Sequence, residues 1–428
     1  MSISIGKLIH ARRGRSRGSF GKLSVVAAVG CIALGVLATS VGASAQPNNR
    51  TSSRSLAPIV IGINAELSGA FSGLGLTADG AYAYIDMINK QGGVLGHKMT
   101  VVEADNESTA SVSAAVVRRL ILQDHATFVI GPAAGADAEA AVPVADSLDT
   151  VTIVEDGSGW PLPGVSSADS HSWSFTGIEP LAAADVDTIV QQVILPKHWT
   201  RVAEIADDTP FGLRFETALK ADAAKYHLKI VSLQLATAGS TNDDAQALNM
   251  LAANPQIIIN GTTDGSDTVT ALKSIRAESA TIPIGVCGDC TYPSFVATMG
   301  GPAVMQNVYA EPTPQQLLTA LPHNKLNAPT FADTRLYLKE MAKFGYGSFD
   351  DITSGSNGWM AMEELVTAIK SAKSISQAAV RDAMEHQTLD TLGIFWYRTP
   401  QNTGYYNVQQ SVIGTETVTP KGAFVPYP

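Results

Sequence analysis

Residues 59–99, IVIGINAELSGAFSGLGLTADGAYAYIDMINKQGGVLGHKM, decide how the rest of the chain reads. The stretch opens on Ile59-Val60-Ile61-Gly62-Ile63, apolar at consecutive positions. A strand with no polar face suits the middle of a parallel sheet covered by helices on both sides. A polar, glycine-bearing loop follows, Asn64 to Gly75. A helix is predicted over about Leu76–Lys90, because Ala78, Ala81, Ile85 and Ile88 recur at steps of three and four. Gly92-Gly93 ends it, and Gly96 turns the chain into a second strand from Met99 to Glu103. This is a βαβ unit whose first loop lies at the carboxyl end of a strand, the edge where open α/β sheets bind ligands.

The same pattern continues. Strands are predicted at Phe128–Ile130 and Val151–Val154, with helices over Ser113–Gln123 and from near Asp137. A second series begins with a helix near Asp185–Leu195. Strands follow at Arg201–Ile205, Lys229–Leu233, Ile257–Asn260 and Ile284–Val286, with helices between them. The tail carries three helical stretches, Phe331–Phe344, Asn357–Ser371 and Ser376–Glu385, then short strands near Ile394 and Tyr405–Ile413. At 428 residues the chain exceeds one comfortable core, so two lobes are expected.

The amino terminus reads as a leader. Lys7 to Lys22 is basic, Leu23 to Val41 is uncharged and mostly apolar, and Ala43-Ser44-Ala45 is a small-x-small cleavage pattern. Residues 1–45 are therefore expected to be a signal peptide, and 46–57 a linker. An uncleaved anchor and lipidation at Cys31 are the alternatives. The expected location is exported: periplasm, or the outer face of the cytoplasmic membrane. Net charge is −10, and loss of the leader would bring it to about −16. Such a chain is a poor partner for nucleic acid or an anionic membrane.

After the leader, only Cys287 and Cys290 remain. No second cysteine pair or H-x-x-x-H is present to complete a zinc site, so in an oxidising compartment a small-loop disulfide is the expectation over a metal or redox pair. Gly73-Leu74-Gly75-Leu76-Thr77-Ala78 fits a dinucleotide fingerprint, but it lies too far past the strand and lacks the acidic residue about 20 positions on. No G-x-S-x-G elbow, Walker loop or histidine ligand spacing occurs. No enzyme activity, cofactor or metal is expected.

Taken together, Ile61-Gly62, Leu67-Ser68-Gly69, Gly80-Ala81, Ile88-Asn89 and Gly92-Gly93-Val94-Leu95-Gly96 resemble the start of the leucine/isoleucine/valine-binding family. These are type I periplasmic binding proteins, the substrate-binding subunits of ABC importers. Val129-Ile130-Gly131-Pro132, Asp207-Asp208 to Phe211-Gly212 and the late helices match in order. The resemblance spans about residues 58–415. It implies an α/β fold with two doubly wound parallel-sheet lobes joined by a hinge of about three crossovers. The division expected is 58–177 plus 312–394 for lobe 1, and 178–311 plus 395–428 for lobe 2. A small-molecule ligand would be trapped by hinge closure, with a membrane ABC permease as partner and a monomer as the working form.

Candidate ligand contacts follow from the sheet-edge loops. Ser68, Gly69, Phe71 and Ser72 lie in the first loop, where hydroxyls and helix-start N–H groups bind polar or anionic groups. Pro132, Ala134 and Gly135 would let a ligand approach the backbone closely. Asp156, Ser158 and Trp160 follow the fourth strand, with Trp160 as a stacking wall for a ring or cation. Phe211 would be the opposing wall from the second lobe. Asp264 and Asp289 could hold an ammonium or hydroxyl. Family members that hold an amino acid usually have a serine where Gly135 stands, a Ser-Ala-Thr-like run where Gly157-Ser158-Gly159 stands, and a tyrosine where Phe211 stands. The resemblance thus implies importer function while weakening the case for a branched-chain amino acid. A ligand-sensing receptor on the same fold and an exported hydrolase are the competing functions.

Overall fold

The computed structural model describes residues 56–155, 173–176, 182–263, 265–286, 293–310, 328–346, 349–392, 394–398, 404–408, 416–418 and 424–426. The predicted leader, Cys287, Cys290 and the loop from Asp156 to Trp160 lie outside the described residues.

Strand β1 (Ile59–Ala65) runs beside β2 (Met99–Asp105) and β3 (Phe128–Ile130), and the sheet continues through β4 (Thr152–Val154) to β5 (Ser174–Thr176). All four pairings are parallel, in the order β2-β1-β3-β4-β5. Six of the seven residues of β1 are buried, as a strand covered on both faces requires. The fifth strand was not anticipated. Ser-Phe-Thr is too short to show a period, and only its pairing with Thr152–Val154 identifies it as a strand.

Helix α1 (Thr77–Lys90) starts one residue after the predicted boundary, because Leu74–Leu76 form a 3-10 turn ahead of it. Helices α2 (Ala110–Leu122) and α3 (Gly135–Ser147) pack against each other. There Val116, Val117 and Leu120 meet Ala141 and Ala145 over Val129 and Ala104.

Lobe 2 repeats the plan. Helix α4 (Ala182–Ile189), extended by a π segment over Val190–Ile194, precedes β6 (Arg201–Asp207), α5 (Pro210–Tyr226) and β7 (Lys229–Ala236). Then come α6 (Asp244–Ala252), β8 (Ile257–Gly261), α7 (Gly265–Glu278), β9 (Ile284–Val286), α8 (Pro293–Thr298) and β10 (Val308–Ala310). Strands β7-β6-β8-β9-β10 are parallel neighbours. One sheet face is covered through Ala247, Met250, Leu272 and Ile275, the other through Val186, Ile189, Phe215 and Leu219.

The tail returns to lobe 1. Helices α9 (Ala328–Lys343) and α10 (Phe349–Ala372) pack on α1, and α10 also reaches β3 and β4. Helix α11 (Gln377–His386) lies against α10. Trp359, 2% exposed, is the centre of this packing. Its ring meets Tyr84 edge-on at 4.9 Å and Tyr337 at 5.3 Å. Strands β11 (Thr388–Thr391), β12 (Ile394–Arg398) and β13 (Gly404–Val408) form a separate antiparallel sheet. The ladder pairs Thr391 with Ile394 and Ile394 with Val408, so hydrogen bonding runs through residue 394. Beyond it, β14 (Glu416–Val418) joins β10 antiparallel, and β15 (Phe424–Pro426) pairs with β14. The chain thus passes between the lobes three times, after β5, after β10 and after β13. Among the described residues, no helix is long and apolar enough to cross a membrane.

Helices α1 and α10 approach at glycines. A β-carbon on Gly80 would lie 1.7 Å from the Gly355 carbonyl oxygen, and one on Gly358 would lie 2.0 Å from that of Thr77. Backbone cannot yield as a flexible side chain can. Gly80→Ala is expected to cost about 3 kcal/mol through overpacking, read as a lowered denaturation midpoint with an unchanged slope. An unchanged midpoint would show that the helices separate freely.

Candidate functional site

The parallel register sets which residues share the carboxyl edge of lobe 1. Ile63 is level with Ile130, and Ile130 with Ile153. Glu66, Ala133 and Glu155 therefore emerge within a few residues of the last paired positions of β1, β3 and β4. The Glu155 N–H donates to the Pro132 carbonyl at 2.9 Å, locking two of these exits together. Gly131 has φ +80°, and a β-carbon there would fall 2.2 Å from the Asn64 carbonyl oxygen, so only glycine lets the β3–α3 loop lie this close to β1. Asn64 donates to the Ser113 hydroxyl at 2.9 Å, and that hydroxyl donates to the Asp137 carbonyl at 3.0 Å. Strand β1, α2 and α3 are joined by this buried chain.

Glu66 is completely buried at the start of α3. Its carboxylate accepts hydrogen bonds from the N–H groups of Ala133, at 3.2 Å, and Ala134, at 3.0 Å. Ala134, the N-cap residue, has no side chain to do this itself. Burial pushes the Glu66 carboxyl up from its ordinary value, against the downward pull of the Ala134 and other backbone N–H groups. Asp137, in the first turn of α3, is pushed up to about 7 by burial and then by the negative charge and contact of Glu66. Glu155 is pushed up to about 8, mainly by burial, with the Thr77 hydroxyl opposing and Glu66 adding. Three buried acids thus share one edge of lobe 1. Among the described residues, no group of three His, Cys, Asp or Glu side chains is arranged to hold a metal ion.

The candidate residues of the first loop are placed as follows. Ser68, Gly69 and Ser72 are exposed and Phe71 is half-buried. The Ser68 hydroxyl donates to Asp105 at 2.8 Å, and the N–H groups of Leu67, Ser68 and Glu107 converge on the same carboxylate. The Ser108 hydroxyl donates to the Ser68 carbonyl at 2.6 Å and accepts from the Phe71 N–H at 3.0 Å. The loop is thus clasped to the end of β2. Burial raises the Asp105 carboxyl, but the Glu107 N–H and its other donors outweigh this and hold it below the ordinary value. Pro132, Ala134 and Gly135 are buried beside Glu66. Asp156, Ser158, Trp160, Asp264 and Asp289 lie outside the described residues.

In lobe 2, Asp207 ends β6 and accepts from the Thr209 N–H at 3.2 Å and the Thr263 hydroxyl at 2.9 Å, joining the β6–α5 and β8–α7 loops. The Thr209 hydroxyl caps α5 by accepting from Gly212 at 3.2 Å. Below, Asn260 donates to Thr262 at 2.9 Å, and Thr262 meets Thr268 at 2.8 Å. Phe211 is half-buried on the first turn of α5, its ring 5.6 Å from that of Phe215 within its own lobe. Helices α3 and α5, each opening at the carboxyl edge of its sheet, contact each other. Burial raises the Glu139 carboxyl of α3, and the positive charge of Arg214 on α5 draws it back down.

Glu66, Asp137 and Glu155 were not among the residues picked out from the sequence as candidates. A signal existed: an acid follows β1 and β4 at once, and another opens the helix after β3.

The chain belongs to the periplasmic binding protein family, which it matches over residues 58–410. It is similar to an amino acid binding protein of Pseudomonas aeruginosa, 24% identical over 259 residues, 60% of this chain and 67% of that one. It is also similar to a Leu/Ile/Val-binding protein of Rhizobium johnstonii, 30% identical over 171 residues, covering 39% of this chain and 44% of that protein. Among solved structures, an extracellular ligand-binding receptor from Rhodopseudomonas palustris HaA2 superposes with a TM-score of 0.75 at 18% identity, over 87% of this chain and 100% of the other. That likeness is one of fold. Both family and fold are those of binding proteins.

Two predictions follow from the edge of lobe 1. Asp105→Ala removes the acceptor for three N–H groups and the Ser68 hydroxyl, and is expected to cost about 2 kcal/mol, with faster amide exchange at Leu67 and Ser68. Unaltered exchange there would mean that the clasp is idle. The second concerns pH. Asp137 and Glu155 keep protons in the folded chain up to about 7 and about 8, whereas ordinary carboxyls lose them near 3.8 and 4.5. The folded state then holds more protons, so stability is greatest at acid pH and declines as pH rises through this window, by up to about 1.4 kcal/mol per pH unit for each group. The melting temperature is expected to fall between about pH 5 and pH 8, and Glu155→Gln to flatten that fall. A profile that rises over this range would contradict the protonation described.

Proposed function

We propose that this protein is the solute-binding subunit of an ABC importer of the branched-chain amino acid type, exported and working as a monomer. It captures a small polar metabolite between two lobes that close on it and delivers it to a membrane permease. The observation that carries this reading is the meeting of α3 and α5. Each of these helices opens at the carboxyl edge of its own parallel sheet, the two contact each other, and the positive charge of Arg214 acts on the Glu139 carboxyl. A guest held at these edges touches both lobes, and its contacts favour the closed arrangement over the open one. The relatives' names, amino acid binding and Leu/Ile/Val-binding, support a nitrogenous metabolite as cargo.

A thermal-shift screen of the purified protein across amino acids, amides, polyamines, aromatic acids and short ureas tests the reading. One class is expected to raise the melting temperature. At a hundred times its dissociation constant, such a ligand adds about 2.7 kcal/mol. The same ligand is expected to shrink the radius of gyration in scattering, as closure demands. Absence of any shift across all classes would remove the binding-protein function. Loss of uptake in cells lacking the protein separates import from sensing by a receptor.

A further inference from the structure

Glu66 stands where a bound anion would otherwise sit. A helix that opens at the carboxyl edge of a parallel sheet presents free N–H groups and the positive end of its dipole. At α3 the N–H groups of Ala133 and Ala134 both point at the Glu66 carboxylate, which is wholly buried. The anion position is filled from within the chain. A ligand carboxylate arriving there would find these two donors engaged, and would face the Glu66 carboxylate as a like charge.

A second observation points to what the edge would accept. Asp137 and Glu155 keep only 1% and 3% of their surface. Oδ2 of Asp137 and Oε1 of Glu155 have no hydrogen-bond partner. Two buried acceptors thus lack donors beside a pair of donors already engaged. Around Glu66 the titratable groups are Asp137 from α3 and Glu155 from the end of β4. Asp105, at the end of β2, is occupied by the first loop's own N–H groups.

We propose that the site selects amines and primary amides over the corresponding free acids, and that Glu66 sets this preference. The proposal rests on the solute-binding reading above. An amine or amide supplies N–H donors to the unpartnered oxygens of Asp137 and Glu155, whereas the free acid brings a carboxylate that the Glu66 carboxylate repels.

The test is calorimetric titration of the purified protein with matched compounds on shared aliphatic and aromatic skeletons, each as free acid, primary amide and amine. The amide or amine is expected to bind at least about tenfold more tightly than its acid. Glu66→Gln keeps an oxygen for Ala133 and Ala134 but removes the charge, and is expected to narrow the gap. Glu66→Ala frees both N–H groups and is expected to narrow it further. A purely structural Glu66 would weaken acid and amide alike and leave their ratio unmoved, which would overturn the proposal. So would an acid that binds the unaltered protein as tightly as its amide, although the solute-binding reading would then stand. Binding by no compound of any series would overturn both.

Discussion

The crossing of α1 and α10 is the constraint on which the two-lobed arrangement depends. Helix α10 covers lobe 1, yet it arrives after the whole parallel part of lobe 2 has been laid down. The chain must therefore leave lobe 1, build lobe 2 and come back. Gly80, Gly355 and Gly358 let the two backbones touch, and Trp359 fills the space beside them between Tyr84 and Tyr337. A chain that returns in this way joins its halves by several strands of connection. Several connections permit a bending motion about one axis and resist free tumbling of one lobe against the other.

The edge of lobe 1 shows a different economy. Parallel strands end together, so the loops that follow them share a floor. Here that floor is made of carboxyls that remain protonated well above their usual range, because burial penalises their charge more than neighbouring donors favour it. The opposite edge, in lobe 2, is finished with Asp207 and a set of threonine hydroxyls that satisfy one another.

Much of the framework was legible from residues alone. Ile59 to Ile63 reads as a doubly covered strand because five neighbouring positions are apolar or glycine, and burial is the physical cause of that pattern. Ala78, Ala81, Ile85 and Ile88 show the inner face of α1, and all four are buried. Strands β5 and β10 were missed because three residues cannot display a period, and only pairing partners far along the chain define them. The first third of α10, Phe349 to Ser356, was missed because Thr353 to Ser356 is a run of weak helix propensity, with Gly355 standing where the helix meets α1. The role of Glu66 was hidden because a carboxylate after a strand looks like a solvated loop charge. Its partners, Ala133 and Ala134, are N–H groups 67 and 68 residues away, which composition and spacing cannot bring together.

The late return of α10 also bears on the order in which the chain can become native. A nascent chain ending at residue 310 holds the five parallel strands of lobe 2 with helices for both of their faces. At that length lobe 1 has its five strands, α1, α2 and α3, but α1 lacks the helices that bury its outer side. The part synthesised first is thus the part completed last. Contacts so distant along the chain form slowly, since the loop between them must close before it is rewarded. The apolar side of α1 stays open to water, and to any chaperone that holds unfinished chains, until its distant partner has been made.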